Sequence, residues 1–176
     1  MWAWPCTVAL VTGTTGILGW HEMELDAPEI ARLGIERLSA ARLAMLGTIR
    51  RDGSPRISPI EPYILNGGLL VGAMTWSAKA ADLRRDPRYM LHSAVTSPDS
   101  GEGELKLHGR AVAADAALRA RTADAWWAAL PPDKAIVFTL AIAQAFFVSW
   151  DLERGVMTVH RWSARDGYSC SARNYP

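Results

Sequence analysis

The stretch from Thr75 to Lys79 carries side chains that can bind an anion. Thr75 and Ser77 have hydroxyls, Lys79 has an ammonium, and the residues after Ser77 have helical composition as far as Asp86-Pro87. A helix start offers unpaired backbone amides and a partial positive charge, so these groups together predict a phosphate site. The local pattern alone favours a plainer interpretation, in which Ser77 caps the helix and Lys79 is solvated.

Other polar residues indicate less chemistry. His92, His108 and His160 each lie in a strand-like segment without a carboxylate or cysteine at ligand spacing, so we interpret them as structural and predict no metal site. No Ser-His-Asp or Cys-His arrangement supports covalent catalysis. Cys6 and Cys170 stand near opposite ends of the chain and outside any Cys-x-x-Cys motif, which is typical of a protein in a reducing cytoplasm.

The N-terminal segment has a glycine pattern like that of a dinucleotide-binding loop. Gly13, Gly16 and Gly19 follow an apolar run, but no helix signal follows at once and no strand ends in an acidic residue at the required distance. The run is too short to span a bilayer and has no basic residue before it. Because the first helix cap is Asp26, we expect residues 1–22 to be an N-terminal extension that is dispensable.

Composition describes one ordinary globular domain. Of the 176 residues, 49% are hydrophobic and 21% are charged, which provides enough apolar surface for a single core. Nineteen basic and eighteen acidic residues leave a net charge of +1, so no overall field attracts nucleic acid or an anionic membrane. We therefore expect no nucleic-acid or membrane partner.

Strand patterns outnumber helix patterns along the rest of the chain. Helices are predicted over 26–41, 78–85 and 115–130, and strands over 43–49, 55–64, 69–74, 89–95, 104–113, 136–142, 145–151 and 156–162. Asp52-Gly53 predicts a hairpin between the first two strands, and three prolines in the second strand indicate an edge, a bulge or a strand that crosses onto a ligand. This order predicts a mainly β (α+β) fold, a small antiparallel barrel with two or three covering helices, over 23–165, followed by a tail over 166–176.

The region from Leu43 to Arg88 resembles a known family. It reads Leu-Gly-Thr-Ile-Arg-Arg-Asp-Gly-Ser-Pro, then Ser-Pro-Ile, then Ser-Ala-Lys-Ala-Ala-Asp-Leu-Arg-Arg-Asp-Pro-Arg. In order and spacing these motifs are similar to those of the pyridoxamine 5′-phosphate oxidase-like split-barrel family of flavin and deazaflavin oxidoreductases. The resemblance extends more weakly through residues 104–110. It implies a homodimeric split β-barrel that binds FMN or, alternatively, the deazaflavin coenzyme F-420.

The resemblance also implies which residues hold the cofactor. In that family the lysine of the Ser-x-Lys helix start and the hydroxyls before it bind the cofactor phosphate, and the second hairpin strand lies along the ring. An arginine on that strand could stabilise negative charge on the reduced ring. Carried over to this sequence, the cofactor-binding residues are Arg56, Ser58, Pro59, Ile60, Met74, Thr75, Ser77 and Lys79.

The expected activity is that of an FMN-dependent oxidoreductase acting on a small organic substrate. A deazaflavin-dependent reductase remains an alternative, as does a non-catalytic protein that sequesters or senses a flavin. Synthesis of pyridoxal phosphate is not expected, because the segment after Ser163 offers only Arg165 and Arg173 to bind a substrate phosphate.

Three tryptophans near strand ends, Trp76, Trp150 and Trp162, favour a dimer because aromatic residues are enriched at interfaces. The resemblance is to dimers whose sites are built from both chains. In such a dimer Trp150, Arg161 and Trp162 would reach a cofactor across the subunit boundary, although packing within the barrel explains them equally well.

Overall fold

One antiparallel sheet of nine strands makes up most of the computed structural model, which describes residues 19–95, 97 and 103–175. The strands are β1 (Ala44–Ile49), β2 (Pro55–Ile60), β3 (Pro62–Leu65), β4 (Gly68–Met74), β5 (Arg88–Ser93), β6 (Glu104–Ala113), β7 (Ala135–Asp151), β8 (Val156–Ser163) and β9 (Gly167–Asn174). The helices are α1 (Trp20–Asp26), α2 (Pro28–Ala41), α3 (Ala78–Arg85) and α4 (Ala116–Ala120), and a 3₁₀ turn spans Trp126–Ala129. None of the helices in these ranges is long and apolar enough to cross a membrane.

The long strand β7 organises the sheet. The main path runs β2-β1-β5-β6-β7-β4-β3. Along one side β7 pairs with β6, and along the other it pairs first with β4 and then with β8, which pairs in turn with β9. Because β7 changes partner along its length, the sheet divides at its middle. This antiparallel order confirms the predicted split barrel, with β2 at the predicted edge.

Two tail predictions need correction. The segments 136–142 and 145–151 form one continuous strand, because Gln144 pairs with His108 and the ladder between β6 and β7 resumes after a bulge at Ala143. The predicted tail over 166–176 contains β9, whose residues pair with β8 from Val156 to Ser163. Since β9 is exposed along almost its whole length, it lacks the alternation by which a strand is recognised in a sequence.

The helix predicted over 115–130 is wrong. Asp115 does cap a helix, because its carboxylate accepts a hydrogen bond from the Leu118 amide at 2.7 Å, but α4 ends after five residues. Trp127 is fully buried, and its indole donates to the Thr122 hydroxyl at 2.7 Å. The Arg119 guanidinium donates to backbone carbonyls of the following segment. Tertiary contacts of these side chains therefore override the helical preference of an alanine-rich segment.

The N-terminal helix belongs to the core. Trp20 is only 1% exposed and Met23 is fully buried, and the His21 amide donates to the Gly67 carbonyl at 2.9 Å. The boundary predicted after residue 22 therefore falls inside α1, and the folded domain begins no later than Trp20. Asp26 ends α1 rather than capping the next helix. The glycine pattern at 13 and 16 lies outside the described residues.

A glycine allows the bulge between β6 and β7. The register of the pair shifts between His108 and Gly109. A Cβ built on Gly109 would lie 1.8 Å from the Ala141 carbonyl oxygen, far inside van der Waals contact. The barrel can bend at this point because the backbones approach more closely than any side chain permits.

Replacing Gly109 should therefore destabilise the barrel. We expect Gly109→Ala to lower the free energy of unfolding by about 3 kcal/mol, measured by urea denaturation, because the sheet must separate locally to admit the methyl group. Gly68→Ala is the matched control, since a Cβ at Gly68 meets its nearest atom at an ordinary 3.5 Å. Equal stability of the two variants would contradict the close approach.

The burial of Trp20 leads to a second prediction about stability. A chain that begins at Met23 should unfold at lower urea concentration than one that begins at Gly19, with a difference of about 3–5 kcal/mol, because it lacks a buried indole. Both chains omit the same residues before Gly19, so the comparison isolates the first turn of α1. Equal unfolding midpoints would restore the boundary predicted from the sequence.

Candidate functional site

Lys79 joins the start of α3 to the edge strand β2. Its Nζ donates to the Pro59 carbonyl at 2.5 Å, which is accessible because β2 has no further strand beside it. Burial lowers the pKa of the Lys79 ammonium, and the carboxylate of Glu61 offsets part of that effect. The lysine is therefore half-buried and bonded to a backbone carbonyl, which is more than the plainer interpretation of a solvated side chain expects.

Ser77 caps the same helix. Its backbone is extended, its Oγ accepts from the Ala80 amide at 3.4 Å, and its hydroxyl donates to the Met74 carbonyl at 2.7 Å. The Ser77 hydroxyl thus caps the helix, as the plainer interpretation of the sequence predicts. The first two amides of the helix, those of Ala78 and Lys79, have no acceptor within the helix and remain available to an anion.

An open cavity of about 490 Å³ lies between β2, β4 and the start of α3. Its wall includes Pro59 and Ile60 from one segment, and Met74, Ser77 and Lys79 from another. Residues that the family resemblance assigns to the ring and to the phosphate thus meet at one place. Their separation in sequence is closed by the contact of β2 with β4 and by the contact of α3 with β1.

Two tryptophans that the sequence analysis did not assign to the site also line this cavity. Trp76 follows β4 and is 81% exposed, whereas Trp126 comes from the 3₁₀ turn and is half-buried. A Cβ on Gly72 would lie 2.3 Å from Trp127 and 2.9 Å from Trp126, so only glycine lets these indoles pack on β4. Trp126 was missed because the sequence placed it in a helix, while an exposed indole such as Trp76 can be recognised only in the structure.

Arg56 does not line the cavity. Its Nε donates to Oδ2 of Asp82 at 2.7 Å, and the Thr48 hydroxyl donates to the same oxygen at 3.0 Å. Burial raises the pKa of Asp82, but hydrogen bonds from Arg56, Thr48 and Arg85 outweigh it and hold the pKa below its usual value. The cluster therefore contributes stability at neutral pH and loses it as the pH falls through the lowered pKa of Asp82.

Two further predicted residues lie outside the cavity. Thr75 directs its hydroxyl to the Asp133 carbonyl at 2.7 Å, and this contact joins the end of β4 to the turn before β7. Ser58 is half-buried and pairs with Leu46 of β1. The structure thus gives Thr75 a structural contact and places Ser58 within the first hairpin.

A second cleft of about 870 Å³ adjoins the first. The two share Leu43 and Glu61, and the second is bounded by the end of α2, by β3 and by Asp124. In the sequence, Glu61 stands five positions after Arg56, and side chains at an odd spacing on a strand point to opposite faces, so the pattern alone gives Glu61 no partner and no role. The structure instead places its carboxylate between the two spaces, on the cavity that Lys79 lines.

The histidines make local contacts. The His92 ring lies 3.7 Å from a carboxylate oxygen of Glu104, and His160 lies 2.8 Å from the Tyr168 hydroxyl. Burial lowers the pKa of His108. Within the described ranges, no group of three or more His, Cys, Asp or Glu side chains could hold a metal ion.

The expected role of Trp162 is wrong. Trp162 is 1% exposed and belongs to the hydrophobic core, so it cannot contact a second chain. Trp150 is half-buried, with its ring centroid 6.4 Å from that of Tyr175, and Arg161 is exposed on β8. Barrel packing therefore explains Trp162, while Arg161 remains accessible.

Solved structures of the same architecture were found by comparison of folds. No family model matches the sequence, and no curated protein matches it significantly. PhzG from Burkholderia lata 383, solved in complex with tetrahydrophenazine-1-carboxylic acid, is 16% identical, with a TM-score of 0.61 over 88% of this chain and 93% of that chain. A pyridoxamine 5′-phosphate oxidase-related, FMN-binding protein from Nostoc punctiforme PCC 73102 is 15% identical, with a TM-score of 0.59 over 84% and 96%.

A haem-binding protein from Mycobacterium smegmatis has a similar structure. It is 15% identical, with a TM-score of 0.58 over 84% of this chain and 89% of that chain. At such identities the likeness establishes the architecture, which proteins of different ligand specificity share. The chain therefore has the fold of the pyridoxamine 5′-phosphate oxidase-related proteins, which confirms at the level of fold the resemblance carried by its motifs between Leu43 and Arg88.

Proposed function

We propose that this chain is an oxidoreductase that binds FMN in the cavity beside Lys79 and acts on a small organic substrate. The observation that carries the proposal is the Lys79 ammonium, which is partly desolvated and bonded to a neutral carbonyl in a cavity lined with apolar and aromatic residues. A phosphate there would neutralise the charge and accept hydrogen bonds from the ammonium and the free amides of α3.

The cavity also fits a flat ring. Its volume of about 490 Å³ lies within the usual range for a small-molecule site. Trp76 and Trp126 offer indole surfaces, and Ile60 and Met74 add apolar contact. The Glu61 carboxylate would repel a phosphate, so the phosphate end belongs at the start of α3 and the ring towards the cleft that Glu61 also lines.

The chain itself binds and orients the cofactor. FMN, when bound, supplies the hydride and electron transfer, so the protein needs no catalytic acid of its own. Lys79 and the α3 amides would hold the phosphate, and the tryptophans would exclude water from the ring. The adjoining cleft beyond Glu61 gives a small substrate a route to the ring.

Two other functions remain open. The deazaflavin coenzyme F-420 has a similar ring and a longer tail, for which the adjoining cleft offers space. A protein that only sequesters or senses a flavin would use the same cavity. Purified protein with bound cofactor distinguishes them, because absorption identifies FMN or the deazaflavin, and anaerobic mixing with a reductant reveals turnover. If the protein oxidises no reductant, the result favours a protein that only sequesters or senses the flavin.

Haem has less support at this cavity. The similar protein from Mycobacterium smegmatis binds haem, but none of the side chains that line the cavity of this chain is a histidine, cysteine or tyrosine. Met74 is the one side chain there with a sulfur or nitrogen ligand typical of haem iron.

We also propose that the protein is a homodimer in the cytoplasm. The outer face of β2, β1 and β5 presents Ile57, Met45 and Met90, and in the sheet register Ile57 and Met90 flank Gly47. Ile57 is 70% exposed. Pro59 on this same face reaches the cavity of Lys79, so a second copy seated here would cover apolar surface and adjoin the cofactor.

Removing the Lys79 charge should weaken FMN binding specifically. Lys79→Ala is expected to raise the Kd for FMN about tenfold to hundredfold, measured by quenching of flavin fluorescence, because it loses a charge-assisted contact worth about 1.5–3 kcal/mol. Riboflavin has no phosphate, so its weaker binding should change little.

Lys134→Ala is the matched control for this experiment. Lys134 is a solvated lysine that lies 3.5 Å from Asp133, and its loss should leave both affinities unchanged. If Lys79→Ala weakened FMN and riboflavin equally, Lys79 would not bind the phosphate. If it weakened neither, the proposed site would be wrong.

The dimer can be tested on the face that carries Ile57. Light scattering of the wild-type protein should give twice the 19.2 kDa chain mass, whereas Ile57→Asp should give a monomer, because an unpaired charge is costly to bury at an interface. Leu25→Asp introduces the same charge at an exposed residue of α1 and should leave the dimer intact. A monomeric wild-type protein saturated with cofactor would exclude the proposed dimer.

A further inference from the structure

Asp82 is a buried carboxylate that the proposed site does not use directly. It lies on the inner side of α3, is 3% exposed, and accepts hydrogen bonds from three side chains. Oδ2 accepts from Arg56 Nε at 2.7 Å and from the Thr48 hydroxyl at 3.0 Å, and Oδ1 accepts from Arg85 Nη2 at 3.2 Å. Asp82 therefore joins α3 to both strands of the first hairpin.

Arg56 is held at one end and unengaged at the other. Its side chain is 27% exposed, and among the described residues its hydrogen bond to Asp82 is made by Nε, with no partner for either Nη. The guanidinium is a rigid planar fork. A fixed Nε therefore also fixes the direction of the two Nη groups.

Arg56 and the cavity are attached to the same turn of helix. Lys79, which lines the cavity, and Asp82, which holds Arg56, lie three residues apart on α3 and thus on one face of it. Lys79 also bonds to Pro59, which follows Arg56 on β2 by three residues. Both cations therefore lie where α3 crosses the edge strand.

We infer that Asp82 is a positioning residue: Arg56 does not itself line the cavity, and Asp82 fixes it beside the rim so that its two unengaged Nη groups meet the anionic cofactor where it extends past Lys79. The inference rests on the proposed function, because the recipient of these donors is the FMN of that site. Asp82 itself touches neither the cofactor nor the cavity. Without the carboxylate, Arg56 would sample many rotamers, and the entropy lost in ordering it would weaken binding of the cofactor.

The charge of Asp82 suits this role. Hydrogen bonds from its three partners hold the pKa of the carboxyl below its usual value in spite of burial, so the group is ionised at neutral pH. Thr48 belongs to the same arrangement and is itself buried, which leaves the carboxylate little freedom to turn away from Arg56.

A purely structural role is the main alternative. In that alternative Asp82 only anchors α3, and Arg85 provides a control because it anchors the same helix. Arg85 Nη2 donates to Asp82 and also to the Ile49 carbonyl at the end of β1. Arg85→Met would loosen that anchor without removing the bond between Asp82 and Arg56.

The test is a double-mutant cycle on FMN affinity, measured by fluorescence quenching. Asp82→Asn should raise the Kd for FMN about tenfold in the wild-type background. In the Arg56→Ala background the same substitution should have no further effect on the Kd, because Asp82 affects cofactor binding only through Arg56. Arg85→Met should change the Kd by less than about twofold, and circular dichroism checks that each variant is folded.

The outcomes separate the inference from the function it depends on. A wild-type protein that binds neither FMN nor the deazaflavin would overturn both. Wild-type binding with an equal Asp82→Asn effect in both arginine backgrounds, or an equal effect of Arg85→Met, would overturn the positioning role alone. If Asp82→Asn does not fold, Thr48→Val replaces it. The expected loss of FMN affinity is then smaller, and it should disappear in the Arg56→Ala background. A loss of affinity that persists in that background counts against the inference.

Discussion

The site depends on how a short helix is attached to the edge of a sheet. With eight residues, α3 is too short to be stable alone, so its position is set by tertiary contacts. Asp82 binds it to β1 and β2 from within, and Lys79 binds it to β2 at the rim. The cavity exists because these two contacts hold the helix start against the strand and leave the space above it open.

The interior contact is effective because it is fully hydrogen-bonded. A buried carboxylate without partners would be costly, whereas one that accepts three hydrogen bonds recovers much of that cost. Two of the donors are arginines and the third is a buried threonine. The position of α3 is therefore fixed by the need to provide hydrogen-bond donors to one buried carboxylate. A purely apolar contact would fix the position of the helix less strictly.

Local sequence signals predicted this part of the fold well, and long-range contacts decided what they missed. The turn at Asp52-Gly53, the prolines of β2 and the cap at Ser77 each act within a few residues, and the hairpin and α3 lie where these signals place them. The helix predicted over 115–130 failed because Trp127 finds its space against Gly72, far away in sequence. Distant contacts of this kind also bring Trp126 to the cavity and direct Arg56 to Asp82, so neither could be predicted from spacing.

A nearly neutral protein can still recognise an anion if one cation forms no direct ion pair. Most arginines described near the site are paired: Arg56 and Arg85 bind Asp82, and Arg88 binds Asp86. Lys79 instead donates to a neutral carbonyl in a cavity lined largely by apolar and aromatic side chains, where a charge interacts more strongly than in bulk water. Recognition would then come from this half-buried charge and the amides beside it, together with the Nη groups of Arg56, and a net charge of +1 places no limit on it.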